Sequence, residues 1–244
     1  ILKWLFGMAF LVFIMSNAIA NVALKYIPSG LAALIAALYP LSIILIDYFF
    51  YKRVKITLIA LLGIFLGIFG IGLISLSDTH FTLDLHFWIG VILSIIAMIS
   101  WSISTVILSN HNNSINNYYS IGWQMTISGF MLFIWLLFTS NTVPLQSIPI
   151  KAWTAIIYLI LGGNVFAFVA FIFAMKYLGV SIVSLYAYIN PIVTIIIASF
   201  WINESITKSI VLGSFITLLG IYLVNKTLKE QKDNRDSLIE AEAM

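Results

Sequence analysis

Asp47 is the carboxylate that the sequence places within a long apolar stretch, and it is the first candidate for chemistry. A charge at the centre of a bilayer costs about 2.5–3.5 kcal/mol on insertion scales, so a central aspartate can mark a proton or cation relay. Asp47 lies about 10 Å from the middle of its stretch by helical rise, toward Lys52 and Arg53. We therefore favour pairing with those cations or with water, and keep energy coupling as the alternative.

Asn17 and Asn21 form the second candidate group, because side chains four residues apart share one face of a helix. Amides in lipid need hydrogen-bond partners, and bonds between membrane helices contribute only about 0.6 kcal/mol on average. Structural bonding is therefore the favoured interpretation, with substrate contact as the alternative. Asn164, beside Gly162 and Gly163, has the same two interpretations.

Pro40 and Pro191 lie at the midpoints of the apolar stretches 30–51 and 181–202. Proline removes one helical hydrogen bond and clashes with the preceding turn, which predicts a kink and a free carbonyl. Such a proline can simply bend a helix for packing, but the pair raises the alternative of two kinked helices beside a cavity. The candidate cavity residues, of which Trp101 and Gln124 are the weaker ones, are Asn17, Asn21, Tyr39, Pro40, Trp101, Gln124, Asn164, Tyr186, Tyr188, Asn190 and Pro191.

Several other chemistries are disfavoured by the residues present. The sequence contains no G-x-x-x-x-G-K-[ST] loop for ATP, and His80, His86 and His111 lack the spacing of metal ligands. No acid–base constellation emerges either, so we expect no enzyme, metal or cofactor. Because no Lys or Arg lies deep in an apolar stretch, phosphorylated cargo is disfavoured relative to neutral, zwitterionic or amphipathic compounds.

The composition shows which elements must position these residues. The chain has 244 residues, of which 62% are hydrophobic and 9% charged, and its mean hydropathy is +1.09. Such a chain cannot coat a water-soluble globule and belongs in a bilayer. It has no cysteine, and its net charge of +3 is too small to suggest nucleic acid. Continuous apolar runs of about 20 residues predict an all-α polytopic membrane protein, with eight spans near 4–24, 30–51, 56–76, 87–109, 119–139, 152–175, 181–202 and 209–226.

Basic residues are distributed unevenly between the two sides of the predicted spans. Nine of the twelve lie on the side that holds both ends of the chain, and three, Lys25, Lys151 and Lys208, lie on the other side. The positive-inside rule therefore predicts that both ends are cytoplasmic. The polar tail 227–244 is expected to be a basic anchor with a mobile, solvated end.

Residues 21–53 and 172–204 repeat one apolar pattern at an offset of 151 positions. Its most informative matches are the Lys-Tyr pairs at 25–26 and 176–177, the two prolines, and, after a slip of one residue, Thr57/Thr207, Gly63/Gly213 and Gly70/Gly220. Five predicted crossings separate the two Lys-Tyr pairs, so the copies have opposite orientations in the membrane. Inverted repeats are the architecture of alternating-access transporters.

Three stretches carry a family resemblance. YIPSGLAALIAALYPLSIILIDYFF with GIFLGIFGIGLI resembles the end of a first EamA-type repeat, and YLGVSIVSLYAYINPIVTIIIASFWINESIT with LGSFITLLGIYLV resembles the end of a second. GVILSIIAMISWSISTVILS resembles the start of that second repeat. The chain is therefore similar to EamA-type transporters of the drug/metabolite transporter superfamily.

The resemblance implies ten helices in two inverted five-helix halves. Residues 1–76 would be helices three to five of the first repeat, 77–86 an outer loop, 87–226 the second repeat and 227–244 the cytoplasmic tail. Two further helices are expected to precede residue 1. Arg53 stands where the other repeat has Glu204, so the glutamate of the family pattern is found in the second half alone.

The expected function is transport, with export suggested by the family, of a small metabolite such as an amino acid across an inner membrane. The halves would rock about a central cavity, with the spans of Pro40 and Pro191 as gates. The partners would be the lipid bilayer and a small-molecule substrate, and a homodimer is an assembly that this architecture allows. The alternative is a membrane scaffold or accessory subunit, because the glycines serve close packing in either case. Stabilisation by a metabolite rather than by a partner protein would distinguish the two.

Overall fold

The computed structural model describes residues 2–51, 56–77, 85–110, 116–139, 143–177, 186–201 and 203–242, and these residues contain helices and no β-strand. Seven helices are long and apolar enough to cross a membrane: Leu2–Ala23, Ser29–Phe50, Leu58–Ser75, Leu85–Leu108, Tyr118–Phe138, Ile150–Ala170 and Lys208–Gln231. The predicted class, an all-α polytopic membrane protein, is therefore confirmed. The predicted span 181–202 begins outside the described residues, and its described part contains the shorter apolar helix Ile189–Trp201.

Eleven α-helices follow one another along the described chain. They are α1 Leu2–Ala9, α2 Ile19–Ala23, α3 Ser29–Ala37, α4 Tyr39–Ile46, α5 Leu58–Ser77, α6 Leu85–Asn110, α7 Asn117–Phe138, α8 Ile150–Tyr158, α9 Ala167–Tyr177, α10 Tyr186–Trp201 and α11 Lys208–Glu242. Three π-helical segments, Phe10–Ala18, Asp47–Tyr51 and Leu159–Phe166, continue α1, α4 and α8, and a short 3₁₀ turn, Leu145–Ser147, precedes α8. Segments of π-helix are rare and often occur at functional sites.

The helices cluster into two compact units. One contains Ile1–Ile14 and Asn112–Ser184, and the other contains Met15–His111 and Leu185–Met244. Both units combine parts of the two repeats that the sequence predicts. Such mixing requires helices of one repeat to pack against helices of the other.

The larger unit has two buried cores made almost entirely of aliphatic side chains. The first lies around α3 and α6 and contains Ile27, Leu31, Leu34, Ile35, Ile74, Phe87 and Val91. The second lies around α4, α5 and α11 and contains Ala37, Leu38, Leu41, Ile44, Ala60, Ile221 and Val224. Glycines allow the closest helix contact of this unit, between α5 and α11.

The smaller unit is held by α1 against α7. Leu5 and Ala9 of α1 pack against Ile127 of α7 in a small buried cluster, and the rings of Phe13 and Phe168 lie 5.8 Å apart. The span Ile150–Ala170 has no buried residue. In a bilayer such an apolar surface is compatible with lipid, since lipid tails are as apolar as the side chains themselves.

The C-terminal tail continues α11 as a helix as far as Glu242. A helix of 35 residues is about 52 Å long, which exceeds the roughly 30 Å of a hydrocarbon core. Lys226 and Glu230 form an i,i+4 ion pair at 3.9 Å where the tail begins, a spacing that adds a little to helix stability. The sequence predicted a solvated, mobile end, and the structure adds that its backbone is helical.

Candidate functional site

Pro40 is buried immediately after a break in its predicted span. Helix α3 ends at Ala37, α4 begins at Tyr39, and Leu38 between them has φ −74° and ψ 1°. Proline in the first turn of a helix has no amide hydrogen to lose, which explains why the helix restarts there. The sequence predicts a kink at Pro40, and the structure instead has a helix break at Leu38, two residues earlier.

A serine of α6 contacts the carbonyl beside this break. The Ser102 hydroxyl lies 3.3 Å from the carbonyl oxygen of Tyr39 and 2.9 Å from that of Met98, so it can donate to either. One helical turn further along α4, Ser42 Oγ lies 3.6 Å from Met98 Sδ. These contacts fasten the start of α4 to α6, and the half-buried Trp101 belongs to the same stretch of α6.

Pro191 differs from Pro40, because it is buried inside one continuous helix, α10. The preceding residue, Asn190, is half-buried, and its carbonyl accepts a hydrogen bond of 2.8 Å from Thr194 Oγ1. Hydroxyl bonds of this i−4 kind often bend a helix. Tyr186 and Tyr188 belong to α10, but their side chains lie outside the described part of the chain.

The two proline-bearing spans contact each other directly through α3 and α10. A Cβ atom added to Gly30 would lie 3.0 Å from Ile195 Cγ1, which is closer than an ordinary contact. The absence of a side chain at Gly30 thus lets α3 approach α10. The sequence placed both spans beside a cavity, and the structure shows that they pack together at this end of α3.

A glutamate from the far end of the chain bonds to the first residue of α3. Glu204 Oε1 accepts 3.1 Å and 2.8 Å hydrogen bonds from Ser29 N–H and Ser29 Oγ–H, across 175 positions of sequence. A carboxylate is favourable there because the first amides of a helix lack partners within it. Asn203, with φ 56°, turns the chain after α10, and Glu204 N–H donates to Ala198 O at 3.2 Å.

A small cavity adjoins this hydrogen-bonded pair. Its volume of about 20 Å³ is enough for roughly one water molecule. Apart from the Glu204 carboxyl group and Ser205, its walls are mostly aliphatic and include Leu34, Ile74 and Ile195. A cavity of about the size of one water molecule thus lies between α3, α10 and the start of α11.

The remaining amide candidates have different surroundings. Asn21 is exposed, and its Nδ2 donates to the backbone carbonyl of Asn17 at 2.9 Å. This bond lies within one helix, and the structural and substrate-contact interpretations of Asn17 and Asn21 stay predictions. In the smaller unit, Gln124 is buried and donates to Ser120 Oγ at 2.9 Å, whereas Asn164 is exposed within the π segment Leu159–Phe166. The side chain of Asp47 lies outside the described part of the chain.

Among the described residues no group of three or more His, Cys, Asp or Glu side chains is arranged to hold a metal ion. Away from the span ends, the polar side chains that the structure describes include the hydroxyls of Ser94 and Ser102 and the amide of Gln124. Such groups can bind a cargo through hydrogen bonds.

The glycines of α5 and α11 meet in two reciprocal contacts. A Cβ added to Gly63 would lie 2.7 Å from the carbonyl oxygen of Gly220, and one added to Gly220 would lie 2.5 Å from that of Gly63. The corresponding distances are 2.5 Å from Gly70 to the Gly213 oxygen and 2.6 Å in the reverse direction. The two helices are therefore antiparallel at the crossing and touch backbone to backbone.

Two threonines begin these helices in the same way. Thr57 Oγ1 accepts from Ala60 N at 3.2 Å, and Thr207 Oγ1 accepts from Ile210 N at 3.2 Å. Both are N-cap bonds to the third residue of the following helix. The matched caps occur at positions that the sequence repeat pairs with each other.

Sequence reasoning missed the Ser29–Glu204 contact and the buried serines Ser102 and Ser120. In the sequence, Glu204 of the second repeat differs from its counterpart in the first repeat, Arg53. Nothing in the sequence, however, joined Glu204 to a serine 175 positions away. The serines gave no signal, because a hydroxyl inside a membrane helix usually bonds to its own backbone.

Comparison with known proteins adds a family assignment. The model of the EamA-like transporter family matches residues 88–226, more than half of the chain. An uncharacterized transporter of Synechocystis is 26% identical over 211 residues, covering 81% of this chain and 63% of its own length. YvbV of Bacillus subtilis, also named an uncharacterized transporter, is 24% identical over 87% of this chain and 68% of its own length.

A third relative is the uncharacterized inner membrane transporter YedA of Escherichia coli, which is 25% identical over 81% of this chain and 62% of its own length. A solved crystal structure with 18% identity covers 90% of this chain and 72% of its own, with a TM-score of 0.56; this likeness shows a shared fold. The chain thus spans about two thirds of the length of these relatives. Together with the apolar spans, the family match confirms the resemblance found in the sequence, and the chain belongs to the EamA-like transporter family.

Proposed function

We propose that the protein moves a small neutral, zwitterionic or amphipathic metabolite, such as an amino acid, across the membrane by alternating access. Export is the direction that the family resemblance suggests. Family membership and relatives that are named transporters support transport in general. The observation that carries the mechanism is the reciprocal glycine crossing of α5 and α11.

The crossing has the form that two inverted copies of one unit would produce. The sequence repeat pairs Gly63 with Gly213 and Gly70 with Gly220. Exchanging the members of each pair converts the Gly63–Gly220 contact into the Gly213–Gly70 contact, and both contacts occur. A two-fold axis relates contacts in this reciprocal way. The crossing therefore supports two inverted repeats, the architecture of many alternating-access transporters.

The side chains of the spans support the proposed class of cargo. Arg and Lys are the usual partners of phosphate groups in proteins, and no described span carries one near its centre. The polar groups found there include hydroxyls such as Ser102 and the amide of Gln124, which can bind uncharged or zwitterionic groups. A cargo with several negative charges would find no counter-charge among them.

The proline-bearing spans are the proposed gates. Just before Pro40 the span is divided into α3 and α4, so α3 can tilt independently of α4. Helix α3 packs on α10, which carries Pro191, and the two spans to which these helices belong are repeat counterparts. Relative movement of α3 and α10 would open or close one end of the pathway.

The distribution of basic residues supports an orientation with both ends of the chain in the cytoplasm. The name of the relative YedA specifies the inner membrane, and we extend that location to this protein. A homodimer is compatible with the large exposed apolar surface of α8 and α9.

The test is flux into or out of liposomes that contain the purified protein. A panel of amino acids, sugars, amphipathic compounds and one phosphorylated control would be offered in both directions. We expect saturable flux of an uncharged or zwitterionic compound, and a raised melting temperature with that compound. If every compound fails and the protein is stabilised solely by a partner protein, the transport proposal is wrong and the scaffold alternative is favoured.

A further inference from the structure

The bond between Ser29 and Glu204 joins the two proposed gates at one end. Ser29 is the first residue of α3, and Glu204 follows α10 by three residues. Both hydrogen bonds reach the same carboxylate oxygen, Oε1, from the backbone and the side chain of Ser29. The contact thus connects the start of the Pro40 span with the end of the Pro191 span.

We propose that Ser29 and Glu204 form a breakable tie that holds the outer ends of the two gates together in the closed state. This inference rests on the proposed transport function and on the proposed orientation, which places both residues at the outer face. When the tie breaks, α3 can separate from α10 and admit or release cargo at that face.

The surroundings of the tie have the properties that a gate needs. The cavity beside Glu204 has a volume of about 20 Å³, which is enough for roughly one water molecule. Leu34 on its wall is 1% exposed. Gly30 meets Ile195 and the Glu204 carboxyl group without a side chain of its own, so at this position no side chain of α3 interlocks with α10 and resists opening.

Residues that can form the tie occur in the sequence at one face of the membrane, and the paired positions at the other face cannot form it. The repeat pairs Glu204 with Arg53 and Ser29 with Val180. Arginine and valine cannot reproduce a serine–carboxylate hydrogen bond, because valine has no side-chain donor and arginine accepts none. The tie is therefore an asymmetric feature in an otherwise paired architecture, and it would bias the protein toward closure at the outer face.

The first experiment measures opening without any substrate. The chain has no cysteine, so Leu34→Cys provides a single thiol at the buried wall of the closed end. Its labelling by a membrane-impermeant maleimide on intact cells would be compared in three backgrounds: Glu204→Ala, which removes the acceptor oxygen, Ser29→Ala and Ser29→Thr. A hydrogen bond to a charged group shifts an equilibrium by about tenfold to a hundredfold. We expect labelling to accelerate by about that factor in the first two backgrounds and to stay near the parent rate with Ser29→Thr, which retains the hydroxyl.

The second experiment locks the gates together. Because a Cβ at Gly30 would lie 3.0 Å from Ile195 Cγ1, Gly30→Cys with Ile195→Cys brings two thiols within reach of a disulfide. Oxidation should stop flux and a reductant should restore it, whereas either single cysteine treated with the same oxidant should retain flux. The lock leaves Ser29 and Glu204 unchanged, so it tests movement of the gates without altering the tie.

The outcomes separate the tie from the transport proposal. If the parent protein carries a compound from the panel, but the fully crosslinked pair transports it at the same rate, the gate does not open there and the tie proposal is wrong. Unchanged labelling of Leu34→Cys in both the Glu204→Ala and Ser29→Ala backgrounds would also overturn it. If the parent carries no compound, transport fails as a function, while the labelling result still decides whether the tie restrains opening.

Discussion

Gly70→Ala should destabilise the contact between α5 and α11, and Gly72→Ala on the same helix is its matched control. An added Cβ at Gly70 would lie 2.5 Å from the carbonyl oxygen of Gly213 and 2.8 Å from the backbone nitrogen of Thr217, and it would also press on the Thr217 hydroxyl. At Gly72 an added Cβ has no neighbour within 4 Å. Both substitutions thus add one methyl group to the same helix, at a crowded position in Gly70→Ala and at an open position in Gly72→Ala.

The size of the effect follows from these distances. Carbon and oxygen atoms that are not bonded to each other make ordinary van der Waals contact at about 3.4 Å or more. The added Cβ at Gly70 would lie 2.5 Å from the Gly213 oxygen, so the two backbones must separate by nearly an ångström at this crossing. Overpacking of this kind costs about 1–3 kcal/mol. Both substitutions also gain up to about 1 kcal/mol of helix propensity. Because this gain is common to both variants, their difference in stability isolates the packing cost.

The assay is thermal unfolding in detergent, followed by the fraction of protein that remains monodisperse. For a chain of this size each kcal/mol corresponds to about 2–4 °C. We therefore expect Gly70→Ala to melt about 2–12 °C below Gly72→Ala, with the control at or above the parent. Equal melting temperatures for the two variants would refute the claim that the helices meet backbone to backbone.

The reciprocal geometry adds a test through a double substitution. Gly63→Ala and Gly220→Ala both force the same end of the crossing apart. Once one has separated the helices, the other needs little further movement, and contacting residues are expected to be non-additive. The double variant should thus lose less stability than the two single losses combined. Full additivity would indicate that the two glycines do not share one contact.

Further predictions concern the caps and the polar residues of the spans. Thr57→Ala and Thr207→Ala should each lower the free energy of unfolding by about 1 kcal/mol, the usual cost of losing an N-cap. Thr→Ser at either position should retain most of that stability. Unequal losses from the two alanine variants would count against equivalent caps. Gln124→Leu removes the bond to Ser120 and should leave the fold intact, with stability changed by about 1 kcal/mol or less, so a larger loss in the affinity for cargo would identify Gln124 as a binding residue. Asp47→Asn should leave the dependence of flux on a pH gradient unchanged, and loss of that dependence would favour the relay interpretation.

The sequence predicts the membrane class and much of the helix packing, because these depend on local or repeated features. Apolar run length marks the spans, and the glycine pairs anticipate a close helix contact. These predictions succeed because a long apolar run or a small residue has nearly the same effect wherever its helix is placed. The pairing of Thr57 with Thr207 is visible as a match, but the structure is needed to show that both are N-caps.

The sequence predicts the candidate site less well, because side-chain partners depend on distant parts of the chain. The bond between Ser29 and Glu204 joins positions 175 residues apart, and each residue alone has many other uses. Pro40 and Pro191 match in sequence, yet the first follows a helix break and the second lies inside a continuous helix. Equivalent residues thus acquire different local structures when their neighbours differ.

Residues that match between the two repeats and residues that differ between them have different roles. The reciprocal glycines and the matched threonine caps hold helices in place. This structural role does not require a difference between the two faces of the membrane. A preference for closure at one face requires such a distinction, since perfectly equivalent halves would give both faces the same gate energy. The residues that break the repeat are therefore where that preference should be sought. Glu204, whose counterpart is Arg53, is the clearest of these departures, and its bond to Ser29 gives it a physical means to stabilise one closed end over the other.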